Sequence, residues 1–264
     1  MNLLPLEKNK FANNKLKQYK DWWEQYHDSF LNGGIDVNKQ YFPLLQRDYA
    51  EDSQLSKCSC GRNSIPYMEI TPLYREANDG LLFVNCNPSG TDYSYYKEKN
   101  NEPPTDFFYY DKLDNTYFNA TEEFAKAVGM SENYAMIDVF PIVMQNQAVL
   151  KKAFKEENEK RRDAFNKLID LFLDSIEQIK PKVVIVTNAF VKDLFINGFD
   201  ERVCVVPDEE KVCYNIKIQE RFATTVFCGG MIAGGHQMDT ESKKRLIRDV
   251  AYFMESSIGY KNKP

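Results

Sequence analysis

The chain alternates short apolar runs, typical of buried strands, with longer segments whose apolar residues recur at helical spacing. The clearest runs cover 81–86 and 183–187. Pure apolar strands between helices are typical of a parallel sheet that is covered on both faces. Further strands are predicted at 134–139, 203–206, 213–218 and 224–228, and helices at 14–31, 119–128, 152–179, after 188 to about 196, and from Asp239 or Thr240 onward.

The first 77 residues differ in pattern from the rest of the chain. Residues 34–78 are irregular and contain prolines at 43, 66 and 72. We therefore predict an N-terminal helix and an extended arm over 1–77, packed on one α/β domain over 78–264. The expected fold is a three-layer α/β/α arrangement around a mainly parallel sheet. The apolar face of the first helix is predicted to contain Leu16, Tyr19, Trp23, Tyr26 and Phe30.

Composition narrows the classes of protein that fit. The 264 residues carry a net charge of −5, which argues against a protein that coats nucleic acid. No secretory signal or membrane-length apolar run is present, so a cytoplasmic protein with reduced thiols and no membrane partner is expected. The 18 Phe and 16 Tyr residues exceed what a core needs and can supply stacking surfaces for flat ligands.

In a parallel sheet, ligands bind beyond the carboxyl ends of the strands. Asp138, Asn188 and the turn Asn87-Pro88-Ser89-Gly90 follow predicted strands. The turn can hold a water or an anionic group, or it can be an ordinary strand-to-loop turn. Asp138 can likewise be a cap or a site residue. Asp92 lies two residues beyond the turn and is a further candidate for a catalytic role.

A glycine-rich loop over 229–235 leads to His236, whose imidazole can donate a hydrogen bond to developing negative charge. The alternative is a packed or capping histidine. Cys58 and Cys60 form one close pair, but a structural metal site needs a second pair, which the sequence lacks. No phosphate-binding, dinucleotide-binding or nucleophile-elbow motif is present, so neither a metal nor a cofactor is predicted.

Three segments, taken in order, resemble the uracil-DNA glycosylase superfamily. The run 82–89, Leu-Phe-Val-Asn-Cys-Asn-Pro-Ser, is similar to the first motif of that superfamily, in which a strand leads into Gly-x-Asn-Pro-Gly or a variant. The run 136–141, Met-Ile-Asp-Val-Phe-Pro, is similar to its middle strand. The segment 234–236, Gly-Gly-His, stands where the histidine-containing second motif is found. The resemblance covers roughly residues 78–256.

The resemblance implies hydrolysis of the N-glycosidic bond of a damaged or unusual base, with DNA, a nucleobase or a nucleoside as the partner. Asn87 would position the attacking water, and His236 would stabilise the departing base. The implied contacts to the substrate come from Pro88, Ser89, Asp138 and Asn188, and from Tyr93 and Tyr96 as candidates for stacking on the base.

The sequence departs from the superfamily at three points. Asn85 replaces the first glycine of the first motif, and His236 is followed by Gln-Met-Asp rather than Pro-Ser. Asp138 stands where a base-reading Asn is usual. An ionised Asp only accepts hydrogen bonds, so it suits an amino-bearing edge such as that of cytosine or adenine and disfavours uracil.

Two other classes of function stay open on the sequence. One is a non-catalytic module that binds a nucleotide or base on the same fold, and the other is an α/β enzyme acting on a small metabolite. A DNA substrate would require a basic groove. Its candidates, which can equally be solvated helix faces, are Lys151, Lys152, Lys243, Lys244, Arg245 and Arg248. A monomer is expected.

Overall fold

The computed structural model describes residues 10–31, 68–70, 73–88, 107–109, 116–142, 147–155, 159–233 and 237–259. The chain divides into two compact units. Unit 1 comprises Met1–Thr71, Cys86–Tyr110 and Asp138–Phe172, and unit 2 comprises Pro72–Asn85, Asp111–Ile137 and Leu173–Pro264. The domain boundary expected after residue 77 stays a prediction.

The helices lie close to where apolar periodicity places them. The predicted helix 152–179 is present as two helices. The helix predicted at 119–128 begins three residues earlier, at Thr116. No described helix is long and apolar enough to cross a membrane. The helices are α1 (Lys10–Leu31), α2 (Thr116–Ala127), α3 (Gln147–Phe154), α4 (Glu159–Ile179), α5 (Ala189–Ile196) and α6 (Thr240–Gly259), and Gly198–Glu201 forms a short turn with positive φ throughout.

Among the described residues, eight strands form two sheets. Six of them pair in the order β4-β2-β5-β8-β7-β6, and the short strands β1 and β3 pair in parallel. The sequence pattern located all six strands of the larger sheet but neither β1 nor β3. The strands are β1 (Met68–Ile70), β2 (Leu81–Asn85), β3 (Phe107–Tyr109), β4 (Tyr134–Asp138), β5 (Val183–Val186), β6 (Val203–Asp208), β7 (Cys213–Ile218) and β8 (Phe222–Cys228).

The six-stranded sheet is mixed, so the expectation of a mainly parallel sheet was wrong. Strands β2, β5 and β8 run parallel, whereas β7 is antiparallel to both β6 and β8. Only residues 209–212 separate β6 from β7, and only 219–221 separate β7 from β8. Connections this short suit hairpins, because a parallel pair needs a crossover of a dozen or more residues.

The core of unit 2 forms around the central strands. Every side chain of β5 is buried, as are the first four of β2. The Phe83 ring meets Phe124 of α2 and Tyr134 of β4 edge to face, with centroids 5.5 and 6.1 Å apart. The fold is therefore broadly α/β, and aromatic side chains pack between β2, β4 and α2.

Within unit 1, helix α1 packs against the part of α4 that ends at Phe172. Trp22 Nε1 donates to the Ala164 carbonyl at 2.9 Å, and the Tyr26 hydroxyl donates to Asp163 Oδ2 at 2.6 Å. Lys15 is buried, and its Nζ donates to the Leu171 carbonyl at 3.0 Å. These bonds fix α1 along α4 at several points, as expected for a helix held by tertiary contacts.

Candidate functional site

In unit 2 the carboxyl ends of three neighbouring strands meet at one edge of the sheet. Val84 pairs with Val186, which in turn pairs with Cys228. The amide of Thr187 donates to the Val84 carbonyl at 3.1 Å, and the amide of Gly229 donates to the Val186 carbonyl at 2.9 Å. This register sets the polar residues that end these strands side by side, at the edge where α/β proteins bind ligands.

Asn85, Tyr117 and Thr187 form a hydrogen-bonded group at this edge, which we call the Asn85 cluster. Asn85 ends β2, Thr187 follows β5, and Tyr117 lies in the first turn of α2. The Tyr117 hydroxyl donates to Asn85 Oδ1, and it lies 2.9 Å from Thr187 Oγ1. Thr187 Oγ1 also lies 2.7 Å from Asn85 Oδ1 and 3.2 Å from the Val84 carbonyl.

The sequence pattern did not single out the Asn85 cluster. Asn85 was noted only as a departure from a motif glycine, and Tyr117 lies before the helix predicted at 119–128. A usable signal exists, because Asn85 and Thr187 are the first polar residues after two apolar runs that were both predicted to be central strands. Nothing local links either residue to Tyr117.

In unit 1 the turn that carries Asn87 runs beside the segment that begins with Asp138. The Phe140 amide donates to the Cys86 carbonyl at 2.9 Å. Asn87 is buried, and its Nδ2 donates to the carbonyls of Ile142 at 3.4 Å and Pro88 at 2.9 Å. Two backbone acceptors thus hold the Asn87 amide in one orientation.

Asp138 is half-buried and acts electrostatically on Cys86. Burial, and secondarily the charge of Asp138, raise the pKa of the Cys86 thiol to about 12. The structure therefore brings two of the predicted site residues, Asn87 and Asp138, onto adjoining segments of one unit. Pro88, which follows Asn87 in the sequence, is also buried.

Asn188 caps a helix. Its Oδ1 accepts hydrogen bonds from the amides of Phe190 at 2.9 Å and Val191 at 3.2 Å, at the start of α5. This is the usual role of an asparagine at an N-cap. Its predicted contact with substrate stays a prediction.

The ends of the loop that carries His236 are pinned together in unit 2. Met231 and Gln237 form an isolated parallel bridge, and the Met238 amide donates to the Met231 carbonyl at 2.8 Å. Gly229 lies so close to its neighbours that a Cβ there would come within 2.8 Å of Leu246 Cδ2. Asp239 directly precedes α6, and its Oδ1 accepts from the Ser242 amide at 2.9 Å, as an N-cap residue does. His236 itself lies outside the described residues, as do Ser89, Asp92, Tyr93 and Tyr96.

Two of the basic residues proposed for a groove are balanced by acidic neighbours. Lys244 Nζ lies 2.8 Å from Glu241 Oε1, and Arg248 Nη2 lies 3.1 Å from Asp249 Oδ1. Exposed pairs of this kind contribute little stability, but they reduce the local positive charge. In the part of the chain that the structure describes, no group of three or more His, Cys, Asp or Glu residues is placed to hold a metal ion.

The thiols differ in accessibility, and we expect Cys204 to react with a maleimide or haloacetamide long before Cys86. Cys204 is exposed, whereas burial raises the pKa of Cys86 to about 12 and that of Cys228 to about 11. The thiolate is the reactive form, so near neutral pH a raised pKa adds to the effect of burial. Peptide mapping by mass spectrometry over time measures the order.

The control for this experiment is the same time course in denaturant, where all six cysteines should react alike. If Cys86 in the native protein were labelled as fast as Cys204, this would contradict the burial of Cys86 directly before the Asn87 turn.

No protein-family model matches the sequence, and no curated protein matches it either.

Proposed function

We propose that this protein hydrolyses the N-glycosidic bond of a damaged or unusual base, as a divergent relative of the uracil-DNA glycosylases with a three-layer α/β/α fold. The observation that carries the proposal is the pairing of the Asn87 turn with the segment that begins at Asp138. Two hydrogen bonds join these segments, one from Phe140 to Cys86 and one from Asn87 to Ile142. These are the segments to which the resemblance assigns water positioning and base reading.

In the proposed reaction Asn87 positions a water for attack on the sugar C1′. A side-chain amide held by two backbone carbonyls is suited to this task, because its orientation is set before the substrate arrives. Asp92, two residues beyond the turn, accepts the proton that the water loses as its oxygen bonds to C1′ and the C1′–N bond breaks. His236 donates a hydrogen bond to the negative charge that builds on the departing base, which lowers the barrier to bond cleavage.

Asp138 selects the base in this proposal. As a carboxylate it accepts hydrogen bonds, so it favours a base edge that carries an amino group. Uracil presents O4 at the corresponding position and would be repelled. Tyr93 or Tyr96 stacks on the base, while Pro88, Ser89 and Asn188 contact the nucleotide.

The test is base release from single- and double-stranded oligonucleotides that carry one uracil, one hypoxanthine or other deaminated base, or one alkylated adenine or cytosine that keeps its exocyclic amino group. With enzyme in excess, we expect wild type to release an amino-bearing base and to leave uracil in place. His236→Ala should lose release. Asp138→Asn should shift release toward uracil, because an amide can donate to O4 and accept from N3–H.

Asp193→Asn is a matched control for Asp138→Asn, since Asp193 is an exposed aspartate on α5. It should leave the preference unchanged. No release of any base by the wild type would contradict the proposed hydrolysis, and would leave a binding module or an enzyme of small metabolites on this chain.

A further inference from the structure

We propose that Asn85 is a ligand-binding residue whose Nδ2 donates to an acceptor atom of a bound nucleobase, and that Tyr117 and Thr187 are positioning residues for it. The choice of a nucleobase as the ligand rests on the proposed function. The role of Asn85 itself rests on the geometry of the Asn85 cluster in unit 2.

The first step is the direction of the Asn85 amide. Both hydroxyls of the cluster approach the same atom, Asn85 Oδ1, one from α2 and one from the residue after β5. An amide whose oxygen is held from two sides must turn its nitrogen away from them. In the described part of the chain, no hydrogen bond from Asn85 Nδ2 accompanies those to Oδ1. Two N–H donors are thus aimed away from the cluster.

The second step is the place of these donors. Asn85 is half-buried and ends β2, directly beside the carboxyl end of β5. Ligands of α/β sheets bind at this edge. A half-buried amide with a fixed oxygen loses little conformational entropy on binding, which makes it a better ligand donor than a mobile surface side chain.

The third step separates binding from a purely structural role. The single proton of Thr187 Oγ1 has two acceptors in reach, Asn85 Oδ1 at 2.7 Å and the Val84 carbonyl at 3.2 Å. The buried hydroxyl would therefore keep an acceptor without Asn85. Its approach to the nearer Oδ1, together with the bond from Tyr117, fixes the rotation of the amide and directs the nitrogen away from the cluster.

Asn85→Asp tests the proposal with little disturbance of the fold. The introduced carboxylate still accepts from Tyr117 and Thr187, but it places an oxygen where the N–H donors were. The probes are free adenine, cytosine and uracil, and an oligonucleotide whose base is held on a 2′-fluoro sugar that resists cleavage. We expect Asn85→Asp to weaken binding of the preferred probe by at least about tenfold, with an unchanged melting temperature.

Tyr117→Phe tests the positioning role. Removing the hydroxyl should weaken binding by roughly threefold in the wild type and should have no further effect in an Asn85→Ala background. An equal effect in both backgrounds would show that Tyr117 acts elsewhere. Asn119→Ala, an exposed asparagine on the same helix, is the control and should bind as wild type does.

The outcomes separate this proposal from the proposed hydrolysis. Binding that Asn85→Asp weakens, without release of any base, would support the role of Asn85 and contradict hydrolysis. Wild-type affinity in Asn85→Asp, or no binding of any probe by the wild type, would overturn the role assigned to Asn85.

Discussion

Replacing Asn87 by alanine is expected to lower the rate of base release by at least about a hundredfold, the usual scale for loss of a group that acts on the attacking nucleophile. In the proposed reaction, this substitution removes the amide that positions the water. The Asn87 side chain is buried and is held by the Ile142 and Pro88 carbonyls, so alanine removes an amide whose orientation is fixed. Single-turnover release from the preferred oligonucleotide measures the effect.

The same substitution should change stability only slightly. The Pro88 and Ile142 carbonyls lose the Asn87 Nδ2 donor, and a small cavity forms. We expect the free energy of unfolding to fall by about 1–2 kcal/mol. A melting curve recorded beside the release assay separates loss of chemistry from loss of fold. Asn119→Ala is again the matched control. Release by Asn87→Ala at the wild-type rate would remove Asn87 from the mechanism.

Replacing Gly80 by alanine is expected to destabilise the protein by about 3 kcal/mol, at the upper end of the range for overpacking. A Cβ at this position would lie 2.3 Å from the Asn133 carbonyl oxygen and 2.6 Å from Asn133 Cγ. The first of these is a backbone atom and cannot rotate away. The Leu81 amide donates to that same carbonyl at 3.1 Å, so relief of the clash must disturb the start of β2.

Gly80 also joins β2 to β5, since its carbonyl accepts from the Lys182 amide at 2.9 Å. The expected loss corresponds to a fall in melting temperature of roughly 6–12 °C. Gly129→Ala is the matched control, because in the described part of the chain no atom beyond its own neighbours lies within 4 Å of its Cβ position, and its φ of +75° is what opposes a side chain. That change should cost about 1 kcal/mol. Equal falls in melting temperature for both variants would show that the structure relieves the clash at Gly80 and would contradict the prediction.

Periodicity located the elements of this fold well, because burial of a helix or strand face leaves a local record in the sequence. In α4 the apolar residues that recur at helical spacing are all buried, namely Phe165, Leu168, Ile169, Phe172, Ile176 and Ile179. The strand cores at 81–84 and 183–186 are buried throughout. These patterns arise within one element and need no knowledge of its neighbours.

The exact face of α1 and the direction of the strands were harder to predict. Trp22 and Lys15, which were not among the positions predicted to face the core, are buried and donate to carbonyls of α4, whereas the predicted Leu16 is only half-buried. An apolar strand has the same pattern in a parallel or an antiparallel pair. Only the short connections 209–212 and 219–221 carried the information that the sheet is mixed.

The local sequence pattern was enough to predict that Asn87 follows a buried strand and that Asp138 lies at the end of another. How these residues come together depends on tertiary contacts. A hydrogen bond from the Phe140 amide to the Cys86 carbonyl sets the Asn87 turn beside the segment that begins at Asp138. The register of β2 against β5, with the position of α2, gathered residues 85, 117 and 187 into one cluster. These three residues are far apart in the sequence, so no local pattern indicates that they meet. Their contact depends on strand register and helix docking, which are set by packing across the whole sheet.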